Sequence, residues 1–352
     1  MSTYMHLQKK TLKITLCKYC NVILFGIGLL FPLVTKAQTA QVIYVNKAAT
    51  GSANGASWAN AYTDLKAALT AAAAISGNKE IWIANAEYKP SSTGDKTASF
   101  AIPSNTTLYG GFVGGETSIA ARDWRKNRTV LSGDLGTLFE KSDNSYHVVT
   151  ITGGGQSVVL DGLIIKGGNA AVTGSNSDVG GGMLIMATTE IASPTIRQCE
   201  LFDNNSLLHG GGIAVISNGQ ASAPQIVNCI FNGNSSAQGG GVSSHLITGT
   251  NAPAFVNCSF STNRATQYGG AVVTIGSAAS FVNCTFTKNQ GIVDGGAIYN
   301  TSNGTPSIKN SILWQNFKSN YGTNLNYNQI QNASGAPDVK NNIVQGGYGA
   351  VA

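Results

Sequence analysis

The chain has 352 residues, of which 22 are Lys or Arg and 16 are Asp or Glu, and only 11% of its residues are charged. The surplus of base sits at the start: residues 1–37 hold five of those 22 cations and no acid, leaving 17 against 16 in the remainder. A nearly neutral remainder has no basic face for tracking phosphates, which excludes nucleic acid as the expected partner. Low charge with abundant Gly, Asn, Ser and Thr is also a mark of disorder, but regularly placed Val, Ile and Phe argue for a packed chain.

In chain order, Lys9, Lys10, Lys13 and Lys18 come first, then an apolar run over 22–34, then Thr35-Lys-Ala37. A basic region, a short apolar core and a small residue at the cut form a secretory signal peptide, cleaved near Ala37. The apolar run falls short of the ~20 residues that a membrane-spanning helix requires, so no transmembrane segment is expected in the mature chain. Residues 38–150 read as an N-terminal cap followed by irregular lead-in coils. Segments 42–45 and 80–84 have strand character, and 63–75 is Ala-rich with Leu65, Leu69 and Ala72 along one side of a helix. Such a helix covers the open edge of the first coil and blocks strand pairing there. Segments 108–112 and 146–151 read as strands, and the basic stretch Arg122-Asp-Trp-Arg125-Lys126-Asn-Arg128 as a solvated turn.

Residues 151–352 are built on a repeat. One phrase recurs as Cys199-Glu-Leu-Phe-Asp-Asn204, Cys229-Ile-Phe231-Asn-Gly-Asn234, Cys258-Ser-Phe260-Ser-Thr-Asn263 and Cys284-Thr-Phe286-Thr-Lys-Asn289, with a degenerate copy ending at Asn316. The asparagines are 30, 29, 26 and 27 residues apart. Between copies stand Gly180-Gly-Gly-Met183, Gly210-Gly-Gly-Ile213, Gly239-Gly-Gly-Val242, Gly269-Gly-Ala-Val272 and Gly295-Gly-Ala-Ile298. Around each cysteine the pattern alternates, which predicts a strand with Val227, Cys229 and Phe231 on one face, ended by an Asn that tolerates the left-handed region. A unit of short strands and tight corners cannot bury its inner face alone, so parallel stacking of copies gives an all-β parallel β-helix. Equivalent residues then stand ~4.8 Å apart, and Asn204, Asn234, Asn263, Asn289 and Asn316 become an amide ladder roughly 19 Å long. No polar terminal repeat follows Tyr348, so the array is read as cut short.

The cysteines Cys199, Cys229, Cys258 and Cys284 occupy one inward position in successive coils. Their Cβ atoms are expected near the coil spacing, beyond the ~3.8 Å mean of a disulfide, so buried free thiols are predicted. A column of parallel side chains does not converge on a metal, and no cofactor is expected. Phe231, Phe260 and Phe286 form the matching apolar column.

The phrases Phe231 to Asn234, Phe260 to Asn263, Phe286 to Asn289, Gly269-Gly-Ala-Val272 and Gly295-Gly-Ala-Ile298 resemble the repeats of the polymorphic outer-membrane protein family. The lead-in region is similar to large secreted β-helix proteins of gliding bacteria at Tyr44-Val-Asn46, Gly55-Ala-Ser-Trp-Ala-Asn60, Tyr109-Gly-Gly-Phe112, Arg122-Asp-Trp124 and Leu131-Ser-Gly-Asp134. The resemblance implies a right-handed parallel β-helix, secreted or at the cell surface, with adhesive roles in the first family. The outer-membrane barrel of the first family and the carboxyl-terminal sorting segment of the second have no counterpart in this sequence.

No catalytic constellation stands out. Hydrolysis of a glycan needs two carboxylates about 5–9.5 Å apart, and β-elimination needs a base with cations beside it. Over 152–348 the acids Asp161, Asp178, Glu190, Glu200, Asp203, Asp294 and Asp338 are scattered, Glu200 and Asp203 being the nearest pair. His209-Gly210 resembles a pair in polygalacturonases whose other phrases are missing here, so His209 is expected at the surface, His147 half buried, and His245 and His6 without partners. Tyr268, Tyr299, Trp314, Tyr321 and Tyr327 stack sugar rings only if they line one face. The expected function is an exported, non-catalytic β-helix that contacts surface glycans or neighbouring cell surfaces. The alternative is a polysaccharide lyase or glycoside hydrolase on a pectate-lyase-like β-helix, whose mark is a charged cluster on adjacent coils.

Overall fold

The computed structural model describes residues 40–138, 140–153, 157–174, 176–318 and 326–346. The segment read as a signal peptide, His6, Tyr321 and Tyr348 lie outside the described residues. Each described coil contributes short strands to separate sheets of ten, nine, eight and seven strands. Neighbours in each sheet come from successive coils: Gln225–Val227 pairs in parallel with Ala254–Val256, which pairs with Ser280–Val282. Among the described residues one pair is antiparallel, Phe317–Lys318 with Asn326–Tyr327. The chain is an all-β parallel β-helix, as its repeats predict.

At the N-terminal end the helix Leu65–Ala73 buries Leu65, Ala68, Leu69 and Ala72 in the same core as the first strands, Gln41–Val45 and Lys79–Ala84. Asp64 caps it by accepting from the Lys66 amide at 3.1 Å, which engages an amide that a helix N-terminus leaves open. Outside this first coil, Tyr44, Trp58, Trp82 and Phe112 form an aromatic group, with Trp82 and Phe112 stacked at 4.9 Å.

The repeated coils correct two expectations. The strand predicted through each cysteine is broken: Asn228, Asn257 and Asn283 have φ of 54°, 54° and 55° and turn the chain from the ten-stranded to the nine-stranded sheet. That left-handed step shifts the alternation, so Ile226, Phe255 and Phe281 point inward and Val227, Val256 and Val282 do not. The second left-handed corner falls one residue before each ladder asparagine, at Asp203, Gly233, Thr262, Lys288 and Gln315. The ladder residue is thereby left free to face inward. The core gains a second aromatic column: Phe231, Phe260 and Phe286 stack at 4.7 and 4.6 Å, and Phe255 and Phe281 at 4.9 Å. The two columns meet edge to face, an arrangement that favours the ring quadrupoles. Leu201 and Leu313 continue the first column at its ends, so in the first copy Leu201 faces inward and Phe202 does not.

The glycine phrase has a division of labour. The first position, as in Gly239, has φ near 67°, open to Gly at no steric cost. A Cβ on the second, Gly240, would strike the backbone carbonyls of Arg264 and Gly270 on the next coil. The third, Gly241, meets the carbonyl of Ala271 at 2.8 Å, and its counterparts Ala271 and Ala297 show that a methyl fits there.

Candidate functional site

The asparagine ladder is saturated. Asn234 Nδ2 donates to Asn263 Oδ1 at 3.0 Å and to the Leu201 carbonyl at 2.9 Å. Its Oδ1 accepts from Asn204 Nδ2 at 3.0 Å and from the Asn204 amide at 3.2 Å. All four bonding positions of the amide are therefore used. The pattern repeats through Asn263, Asn289 and Asn316, all wholly buried. It begins at the Gly168 amide, which donates to Asn204 Oδ1 at 3.0 Å, and runs on to Gln329, whose Oε1 accepts from Asn316 Nδ2 at 2.7 Å. Gln329 lies 13 residues past Asn316, off the repeat spacing, and sequence reasoning missed it. Each bond lies in the apolar core, where an unpaired amide would be most costly, so the column is structural.

Cys199, Cys229, Cys258 and Cys284 are free and buried. Their thiols face backbone carbonyls of their own and the preceding coil, as with Cys229 Sγ at 3.3 Å from Val227 O and 3.5 Å from Ile196 O. Burial pushes the Cys229 thiol well up, which keeps it neutral and unreactive.

The lead-in coils hold the densest charge. Asp161 is 2% exposed, with one oxygen 2.6 Å from Arg122 Nη2 and the other 2.6 Å from Arg197 Nε. Arg122 also donates to the Gly110 carbonyl at 2.9 Å and lies 5.1 Å from the Tyr109 ring centre. The solvated turn expected around Arg122 is corrected: its side chain is buried against glycines, where Gly111 and Gly162 leave room for Trp124. Further along, Glu200 pairs with Arg128, Asp203 with Lys141 at 2.8 Å, and Asp338 with Lys309 and Lys340 at 3.1 and 2.9 Å. Asp294 lies 2.7 Å from Asn328 Nδ2 and 3.7 Å from Lys318 Nζ. Glu200 and Asp203 thus serve two separate ion pairs.

His209 and His245 correct their expected isolation. Their rings meet at 5.6 Å, edge to face, beside the apolar group Val179, Leu184, Met186, Ala214 and Ile216. Burial lowers His209 to about 4, helped by the neighbouring His245 and opposed by Asp178. Burial also lowers His147, which contacts the Gly180 carbonyl at 3.0 Å. The aromatics do not share one face. Tyr268 and Tyr299 stack on each other at 4.4 Å beside the eight-stranded sheet, Trp314 stands on the nine-stranded sheet, and Tyr327 is in the seven-stranded one.

The outward columns of the nine-stranded sheet differ from all of these. One runs Glu200, Ile230, Ser259, Thr285, Ile312, Ile343, and the next Phe202, Asn232, Ser261, Thr287, Trp314. From Ile230 onward neither column holds an ionisable side chain.

These features define a parallel β-helix repeat protein. Residues 283–301 match the repeat of the Chlamydia polymorphic membrane protein family, so the chain resembles that family over that stretch. No curated protein matches the sequence. Two solved structures are similar in outline. Escherichia coli YbhC is 18% identical with a TM-score of 0.46, covering 90% of this chain and 87% of that one. The deglycosylated pectin methylesterase of Aspergillus niger is 14% identical with a TM-score of 0.48, covering 89% and 88%. Both are too distant to inform the chemistry.

Proposed function

We propose that this chain is an exported, non-catalytic β-helix that serves as a contact scaffold at the cell surface or outside the cell. The basic and apolar pattern of residues 1–37 supports export, and the likeness of residues 283–301 to an outer-membrane repeat family supports a surface setting. Among the described residues no helix is long and apolar enough to cross a membrane. The observation that carries the reading is the dispersal of the carboxylates: of the seven acids over 152–348, Asp161, Glu200, Asp203, Asp294 and Asp338 each face a cationic partner that none of the others shares. Hydrolysis of a glycan needs two carboxylates converging on one bond.

A second reading, a polysaccharide lyase or hydrolase, draws on one observation. Asp161, Arg197 and Tyr109 stand in one column of adjacent coils on the ten-stranded sheet, with Arg122 beside them. The test is to incubate the purified chain with acidic and neutral polysaccharides, following reducing ends and the ultraviolet absorbance of unsaturated sugars. The expected result is no turnover. Turnover that vanishes in Asp161→Asn would transfer the function to that cluster.

A further inference from the structure

We propose that the outward face of the nine-stranded sheet between Ile230 and Ile343 is the docking surface for an uncharged polysaccharide, lying along the axis across successive coils. The inference deepens the contact-scaffold reading and rests on it. Three kinds of side chain meet on this face. At one border stand Asn228, Asn257, Asn283, Asn310 and Asn341, all exposed, whose backbone amides from Asn228 to Asn310 bond the next coil and whose side-chain amides make no hydrogen bond with other described residues. The centre is Ser259, Ser261, Thr285 and Thr287, half-buried hydroxyls on two adjacent coils. The flanks are apolar: Ile230 is 44% exposed, Ile312 41%, Trp314 45% and Ile343 59%.

The charge pattern selects the partner. Upstream, Lys166 of the same sheet and the neighbouring Arg128 and Lys141 are all held by carboxylates. Among the described residues from Ile230 onward the one ionisable residue at the rim is Lys288, and across the asparagine border Lys309 and Lys340 are held by Asp338. An acidic polymer has no unpaired row of cations to meet. A protein partner prefers an apolar, aromatic centre with a polar rim, whereas this face has its hydroxyls in the centre and its apolar groups outside. Sugars present hydroxyls at their edges and C–H groups on their faces, which suits a row of amides and hydroxyls bordered by an indole and isoleucines. Coil spacing of ~4.8 Å repeats these donors and acceptors along a polymer lying parallel to the axis.

The experiment is affinity electrophoresis of the full chain through gels containing yeast mannan, laminarin, hydroxyethyl cellulose, dextran or polygalacturonate. Retardation by at least one neutral polymer, insensitive to salt, is expected. Thr287→Arg and Trp314→Ala should each weaken it about tenfold or more, and Tyr299→Ala, on another face, should not. Both substituted side chains point outward, and thermal melting verifies that each variant is folded. Retardation untouched by either substitution would overturn the face while leaving the contact role intact. Retardation only by polygalacturonate, fading with salt, would overturn the uncharged partner. No retardation by any polymer overturns the inference. Where the chain also binds intact cells, loss of that binding on protease treatment, with resistance to periodate, would assign the face to a protein and overturn it as well.

Discussion

The lead-in coils and the repeated coils reach the same architecture by different means. Before Ala170 each stabilising contact is made once: Asp161 between two arginines, Trp82 on Phe112, and Glu116 receiving the amides of Val113, Gly114 and Gly115. From Cys199 to Asn316 one set of contacts is made again at every coil. A unique contact has no neighbour of its own kind to share its loss, and a column spreads its loss to the coils on either side. The difference also sorts the chemistry: the buried ion pair lies where coils are irregular, and the regular coils put their buried amides in a saturated ladder.

The hardest blow to the regular coils is Asn263→Ala. It strips the Asn234 amide, Asn234 Nδ2 and the Phe231 carbonyl of a partner at once. At about 1–3 kcal/mol for each of the three buried groups left unpaired, the loss should reach roughly 3–9 kcal/mol in denaturant unfolding. An effect below about 1 kcal/mol would mean that water replaces the ladder. The counterpart in the lead-in coils is Asp161→Asn, which leaves two guanidinium groups facing a neutral amide. Breaking a buried pair costs about 3–5 kcal/mol. Limited proteolysis should then cut near residues 122–128 first, with the repeated coils intact. Simultaneous loss of both regions would refute the contrast.

Phe260→Ala should cost about 3–5 kcal/mol, unless the flanking rings of Phe231 and Phe286 close the gap. The glycine phrase gives a smaller and sharper test. Gly240→Ala forces a methyl into the backbone of the next coil and should lower stability by about 1–3 kcal/mol. Gly241→Ala reproduces the alanine already present one coil on, at Ala271, and should stay within about 1 kcal/mol.

The mildest effect is on pH. His209 falls to about 4 in the fold, against about 6.5 for an unfolded histidine. As pH falls between these values the unfolded chain takes up the proton first, so the contribution is complete above pH ~6.5 and drains away toward pH ~4. His209→Gln should flatten the fall in melting temperature over that window. An unchanged slope would place the acid sensitivity elsewhere, with His147 the next candidate.

The fold was legible because the same residue types return at a constant spacing, and only stacking explains that. The ladder positions were legible for the same reason, since Asn recurs while its neighbours vary among Asp, Gly, Thr, Lys and Gln. Those varying neighbours hid the backbone. Thr262 and Lys288 give no hint of a positive φ, and the left-handed Gln198, Asn228, Asn257 or Asn283 before each cysteine looks like any outward strand residue. Alternation alone therefore puts Val227 inward, one residue away from Ile226, which the structure buries. The Asp161 cluster was not legible, because Arg122, Asp161 and Arg197 lie 39 and 36 residues apart with no repeat to align them. The pairing of His209 with His245 was equally silent, being a diagonal contact between coils rather than a column.

The direction of the amide ladder has a consequence for how such a chain changes length. From amide to amide every rung donates to the following coil and accepts from the preceding one, so no rung carries information about its ordinal place. Excising the 29 residues that separate Asn234 from Asn263 would bring two compatible rungs together, while excising half as many would leave a donor opposite an apolar side chain. The molecule can therefore be edited in whole coils and resists editing in fractions, much as text survives the removal of a line better than the removal of half of one.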